Sequence, residues 1–185
     1  MPYLVASILA VSSAMIIMLT RYEADDSTFK AEIERIESMF SLIDGFVNVY
    51  IESGESVTTV NFQVLSDDEF LYESINVFPN TVTGENVDTL IGFRNSDIRW
   101  QIVPSSEVTN ITLDLNSYIL FMNFTNESAL MSKNRFSESF TGREFCENNL
   151  FGTFRGDFVS FNSTTKEIDS SGTGDDGILA CIVHK

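Results

Sequence analysis

The chain has 185 residues, room for one domain of ordinary size or a small domain with an appendage. It is 43% hydrophobic, which excludes wholesale disorder, and 11 Lys+Arg against 27 Asp+Glu give a net charge of −16. So negative a surface repels phosphate backbones and argues against sequence-specific nucleic-acid binding, and a single histidine (His184) with two cysteines leaves little for His-based catalysis or a Cys/His metal site. No enzyme activity, metal or cofactor is expected.

Residues 1–20 carry no charged side chain, and 15 of the 20 are apolar. A helix of that length spans roughly 30 Å, the thickness of a hydrocarbon core, so a transmembrane or similarly buried helix is expected. The nearest basic residue is Arg21, after the apolar run, which by the positive-inside rule puts residues 21–185 in the cytoplasm. The acidic, β-rich remainder with its cysteine pair points the other way. The expectation that reconciles the two is a mature chain, beginning at Met1 after removal of a basic leader. An initiator Met1 is the alternative.

From residue 21 the helix is expected to continue in amphipathic form. Phe29, Ile33, Ile36, Phe40, Ile43, Val47 and Tyr50 follow alternating gaps of four and three, the stripe of a helix with one buried seam. Glu32, Glu34, Arg35, Glu37, Asp44 and Glu52 fall between them and are assigned to the exposed face. Pro2 suits a first turn, Gly45 is a weak point inside, and Ser53-Gly54 supplies a glycine for the C-terminal cap. Residues 1–53 thus read as one helix of about 80 Å.

Beyond Val57 the period changes to two. Val60, Phe62 and Val64 alternate with polar residues, as do Ile98, Trp100 and Ile102, and Ile111, Leu113 and Leu115. Aromatic-rich runs follow at 118–124, 154–161 and 178–183, separated by turn-rich segments such as 78–86 and 170–177. These predict antiparallel strands, and with the helix they give an α+β fold whose sheet covers the helical stripe. The expected segments are 1–20 (apolar helix), 21–53 (its amphipathic continuation) and 54–185 (a β-rich head). Cys146 and Cys181, outside any C-x-x-C spacing, favour a structural disulfide closing a loop over 146–181 and an oxidising compartment; two buried thiols are the alternative.

The apolar segment at the N-terminus, the amphipathic extension ending near residue 53, the β-rich head and the C-terminal cysteine pair together resemble the type IV pilins and their pseudopilin relatives. Met1 is similar to the first mature residue of class b pilins, often a methionine that is N-methylated after leader cleavage. The chain departs from the family at Val5, where most members carry a glutamate, at Tyr22, where many carry a proline, and in its opening Met1-Pro2-Tyr3. The resemblance implies a pilin-like fold and a subunit that forms a homo-oligomeric helical filament through its N-terminal helix. It also implies inner-membrane lipid around the unassembled monomer, a cell-surface location for the filament, and an assembly platform with its ATPase as partners. Adhesion and motility are among the roles such filaments serve.

In the apolar half Ala6, Ala10 and Ala14 recur every four residues, a spacing that lets helices approach closely, while Leu4, Ile8, Val11, Met15 and Met18 supply interlocking bulk. Ordinary transmembrane composition explains the same alanines. Asp169, Asp175 and Asp176 form an acidic turn without a D-x-D-x-D ligand series, read as solvated rather than calcium-binding. Asn110, Asn123, Asn126 and Asn162 each begin an Asn-x-Ser/Thr acceptor pattern for N-glycosylation. The expected function is a filament subunit. The alternatives are a minor or tip pseudopilin of a type II secretion or DNA-uptake system and a monomeric, membrane-anchored binding domain.

Overall fold

The computed structural model describes residues 2–78, 89–123, 146, 152–154, 159–169 and 178–185, with the side chains of residues 2–10, 19–26, 28, 29 and 154 outside that description. The backbone of residues Pro2–Glu52 is helical (α1). The chain separates into two compact units, residues 1–36 and 37–185, and the boundary lies within α1.

In residues 1–36, Val11 to Met18 are all exposed, as are Ser27, Lys30, Ala31 and Glu34, while Ile33 is half-buried. Arg35 sits 3.6 Å from Glu32, one turn away. Among the described residues no helix is long and apolar enough to cross a membrane. This corrects the expected transmembrane helix, the inner-membrane location deduced from it, and the fold class built on a membrane-spanning rod.

Residues 37–185 are an α+β unit in which the helical pieces are short. They comprise the last part of α1, the six-residue α2 (Phe62–Asp67) and two 3-10 turns at Val57–Thr59 and Ser105–Glu107. Among the described residues there are eight strands: β1 (Asn76–Phe78), β2 (Leu90–Gly92), β3 (Arg99–Pro104), β4 (Ser117–Asn123), β5 (Gly152–Phe154), β6 (Ser160–Asn162), β7 (Glu167–Asp169) and β8 (Ile178–His184). Six form an antiparallel sheet in the order β1-β2-β3-β4-β8-β5, and β6 pairs with β7 in a separate hairpin. The register sets Trp100 opposite Met122, Ile102 opposite Leu120, and Leu120 opposite Cys181. Alternate side chains therefore face opposite sides of the sheet.

Both sides are buried. On one, Trp100, Ile102, Leu120 and Val183 are buried on the face that carries α1, where the Phe40 ring stands edge-on to Trp100 at 5.4 Å and Asp44 meets Tyr118. On the other, Val103, Ile119, Phe121 and Ala180 form a second core with Val108, Val159 and Ile168, flanked by Ile111 and Phe161. The sheet is thus sandwiched between a helix and the β6–β7 hairpin. That explains why β4 reads as a continuous apolar run rather than an alternation.

Several expected strands are corrected. The alternation at Val60, Phe62 and Val64 belongs to a 3-10 turn and to α2, because the Asn61 side chain caps that helix by accepting from the Val64 amide at 2.9 Å. Helical spacing then buries Phe62 and Leu65 together and leaves Val64 half-exposed. Ile111, Leu113 and Leu115 form no strand: the first two lean on the second core and Leu115 points to solvent. The expected strand over 154–161 contributes to two, β5 and β6. Of the turn-rich segments, all of 78–86 but Phe78 and all of 170–177 lie outside the described residues, Asp175 and Asp176 among them.

Candidate functional site

Two surfaces could carry function, one in each compact unit. In residues 1–36 the apolar surface of α1 is open on every side over residues 11–18. Val11 is 58% exposed, Met15 63% and Met18 75%, with Ile16 and Ile17 similarly open. Six of these eight exposed residues are apolar, Ser12 and Ser13 being the exceptions, and an exposed apolar surface of this kind marks an interaction site. Ala14, the one described member of the small-residue series, is exposed with them. Met1 and the side chains of Leu4, Ala6, Ile8 and Ala10 lie outside the described residues.

In residues 37–185 a polar cluster gathers around Asp44. The Tyr118 hydroxyl donates to Asp44 Oδ1 at 2.9 Å, Asn48 Nδ2 donates to Oδ2 at 3.1 Å, and the Lys185 ammonium pairs with Oδ1. Lys185 also donates to Asn48 Oδ1 at 2.8 Å, and its backbone N–H reaches the Asn116 carbonyl at 2.7 Å. Burial raises the Tyr118 phenol well above its ordinary pKa, and the neighbouring negative charge of Asp44 and their hydrogen bond push it the same way. The phenol thus stays protonated as a donor. The cluster ties α1, β4 and Lys185 together.

Sequence reasoning put Asp44 on an exposed face, whereas it is half-buried and engaged. Beside the local partner Asn48, its partners Tyr118 and Lys185 stand 74 and 141 residues away, so no local pattern announces them. Of the stripe, Ile36 is 1% exposed, and Phe40, Ile43, Val47 and Tyr50, each at most 2% exposed, lie in the core of residues 37–185. Phe29 lies outside the described side chains. Met39 and Phe46, which the stripe omitted, are buried as well. Both sit one position before a stripe residue, and a helix lying on a broad sheet needs that wider face.

Cys146 and Cys181 are joined by a disulfide, with Cα atoms 5.7 Å apart and a sequence separation of 35. On the far side of the sheet, Asn110 takes the place of a strand neighbour for the hairpin. Its Nδ2 donates to the Ile168 carbonyl at 2.7 Å and its Oδ1 accepts from the Ile168 amide at 3.0 Å. Thr109 adds two bonds to the Lys166 carbonyl, from its amide at 2.8 Å and its hydroxyl at 3.0 Å. Among the described residues no group of three or more His, Cys, Asp or Glu side chains is arranged to hold a metal ion. No protein-family model matches the chain, and neither a curated protein nor a solved structure shows significant similarity to it.

Proposed function

We propose that the chain is a structural subunit that polymerises through its N-terminal helix into a pilus-like filament. One observation carries the reading: residues 11–18 of α1 expose apolar side chains on every side. Burying the side chains of Val11, Met15, Ile16, Ile17 and Met18 contributes roughly 1.5–3 kcal/mol each. Association costs about 4–15 kcal/mol before ordering terms are added. One such contact therefore comes close to break-even, whereas an array in which every helix is surrounded by copies of itself repeats the gain without a new partner. Homo-oligomerisation is the main partner claim, and an assembly platform with its ATPase belongs to the same proposal.

The test is electron microscopy and sedimentation of the full chain beside a Met15→Asp/Met18→Asp double variant. Filaments of the unsubstituted chain and dispersed variant protein with its disulfide intact are expected. A full chain that stays monomeric as detergent is diluted away would sink the reading, and so would a double variant that assembles equally well.

A further inference from the structure

Four Asn-x-Ser/Thr patterns occur in the chain, at Asn110, Asn123, Asn126 and Asn162. Modification requires a side-chain amide nitrogen that can reach an enzyme cleft and a backbone not held between two neighbouring strands. Asn110 fails on the first count, because both ends of its amide are bonded to the Ile168 backbone and a glycan on Nδ2 would displace the hairpin. Asn123 fails on the second, since it lies in β4 with Arg99 opposite on one side and Ile178 on the other. Asn126 lies outside the described residues.

Asn162 differs from these. It is the exposed last residue of β6, in a two-stranded hairpin where it faces Glu167 of β7, at the point where the chain enters the turn of residues 163–166, and Thr164 is exposed beside it. Its Oδ1 accepts from the amides of Thr164 at 3.0 Å and Thr165 at 3.2 Å. The carbonyl end of the side chain is thereby fixed to the turn, which directs the opposite end, Nδ2, away from it. The turn places the amide and the hydroxyl residue of the acceptor pattern together at the tip of a hairpin, on the side of the sheet away from α1. The Cys146–Cys181 disulfide belongs to an oxidising compartment, where N-glycosylation of exposed loops also occurs.

We infer that Asn162 is an N-linked glycan acceptor. The donor class is an oligosaccharide carried on a polyisoprenoid phosphate or pyrophosphate. Nδ2 attacks the anomeric carbon of the first sugar, a C–N bond forms, and the bond from that carbon to the phosphate oxygen breaks with its electron pair leaving on the phosphate. One amide proton passes to a base of the transferase. The amide keeps its carbonyl, so both turn bonds survive the modification. The inference does not depend on filament assembly.

Trypsin separates the candidates, because cleavage after Arg155 and Lys166 isolates Asn162 on residues 156–166, while residues 100–133 carry the other three. In protein purified from its native cells, the 156–166 peptide is expected to be heavier by a glycan, and enzymatic removal of that glycan leaves Asp at position 162. An Asn162→Gln variant loses the added mass. Thr164→Ala keeps the Asn162 side chain and also loses the mass, because transfer needs the hydroxyl. An unmodified 156–166 peptide overturns the inference, whether or not residues 100–133 carry a glycan. So does full retention of the glycan in Thr164→Ala.

Discussion

Tyr118 is the side chain whose chemistry is most altered by folding. Its raised pKa means that the neutral phenol stabilises the folded state. That contribution is complete below the unfolded value of about 10 and is lost as pH rises through the higher folded value. Stability measured by urea unfolding should therefore begin to fall above about pH 10, and Tyr118→Phe should lose the phenol's share of that slope. At neutral pH the same variant gives up a hydrogen bond to a charged acceptor and should be destabilised by about 1.5–3 kcal/mol. An unchanged alkaline slope in the variant would show that Tyr118 does not contribute. Gly45 makes a second prediction at this scale. A Cβ built there meets nothing within 4 Å, and the residue lies inside a helix. Gly45→Ala should raise stability by about 0.5–1 kcal/mol, read as a higher urea midpoint, and a lower midpoint would contradict the open space around it. Gly54 is the contrasting case: its φ of +101° at the end of α1 is a conformation that L side chains rarely adopt, and the sequence had already marked it as the cap.

At the level of elements, the disulfide ties Cys146 to the strand between β4 and β5. Closing a loop of 35 residues stabilises by about 4 kcal/mol on the chain-entropy account. A Cys146→Ser/Cys181→Ser double variant should lose most of that in denaturant unfolding, and a loss below about 1 kcal/mol would place the stabilisation elsewhere. The β6–β7 hairpin depends on Asn110 in a similar way. Asn110→Ala removes both bonds to Ile168 and should cost about 1–3 kcal/mol. Amide exchange at Ile168 should then speed up well before the rest of the sheet, and uniform exchange would mean that apolar packing alone holds the hairpin. What could be read in advance follows from element length. The strands β3, β4 and β8, of six or seven residues, announce themselves by composition. The three-residue strands β1, β2 and β7 are too short to show a period, and α2 was read as a strand because the capping role of Asn61 was outweighed by a coincidental alternation. The unbroken apolar run of β4 already implied cover on both faces, although no local feature said what supplied the second layer.

For the molecule as a whole, the net charge of −16 opposes what the apolar residues of α1 favour. Every copy added to an assembly brings the same excess of carboxylates, and like charges repel over distances set by salt. The Debye length is about 10 Å at 0.1 M and about 3 Å at 1 M, so raising ionic strength removes most of the repulsion between neighbouring copies. An apolar contact through residues 11–18, as proposed, would not be weakened by the same change. Assembly of the full chain should therefore be poor in low salt and become steadily more complete as sodium chloride rises from 0.05 to 1 M (roughly one decade of ionic strength), followed by light scattering and pelleting. If charge pairing between copies were the driving force, salt would dissolve the assembly instead. Charge pairing and apolar burial thus predict opposite slopes. The sequence permits the distinction because residues 1–20 contain no charge of either sign, so the segment assigned to assembly has no charged side chains to pair. A negative slope would move the contact out of the N-terminal helix and into the acidic 37–185 unit. A positive slope that Met15→Asp/Met18→Asp abolishes would tie it to residues 11–18.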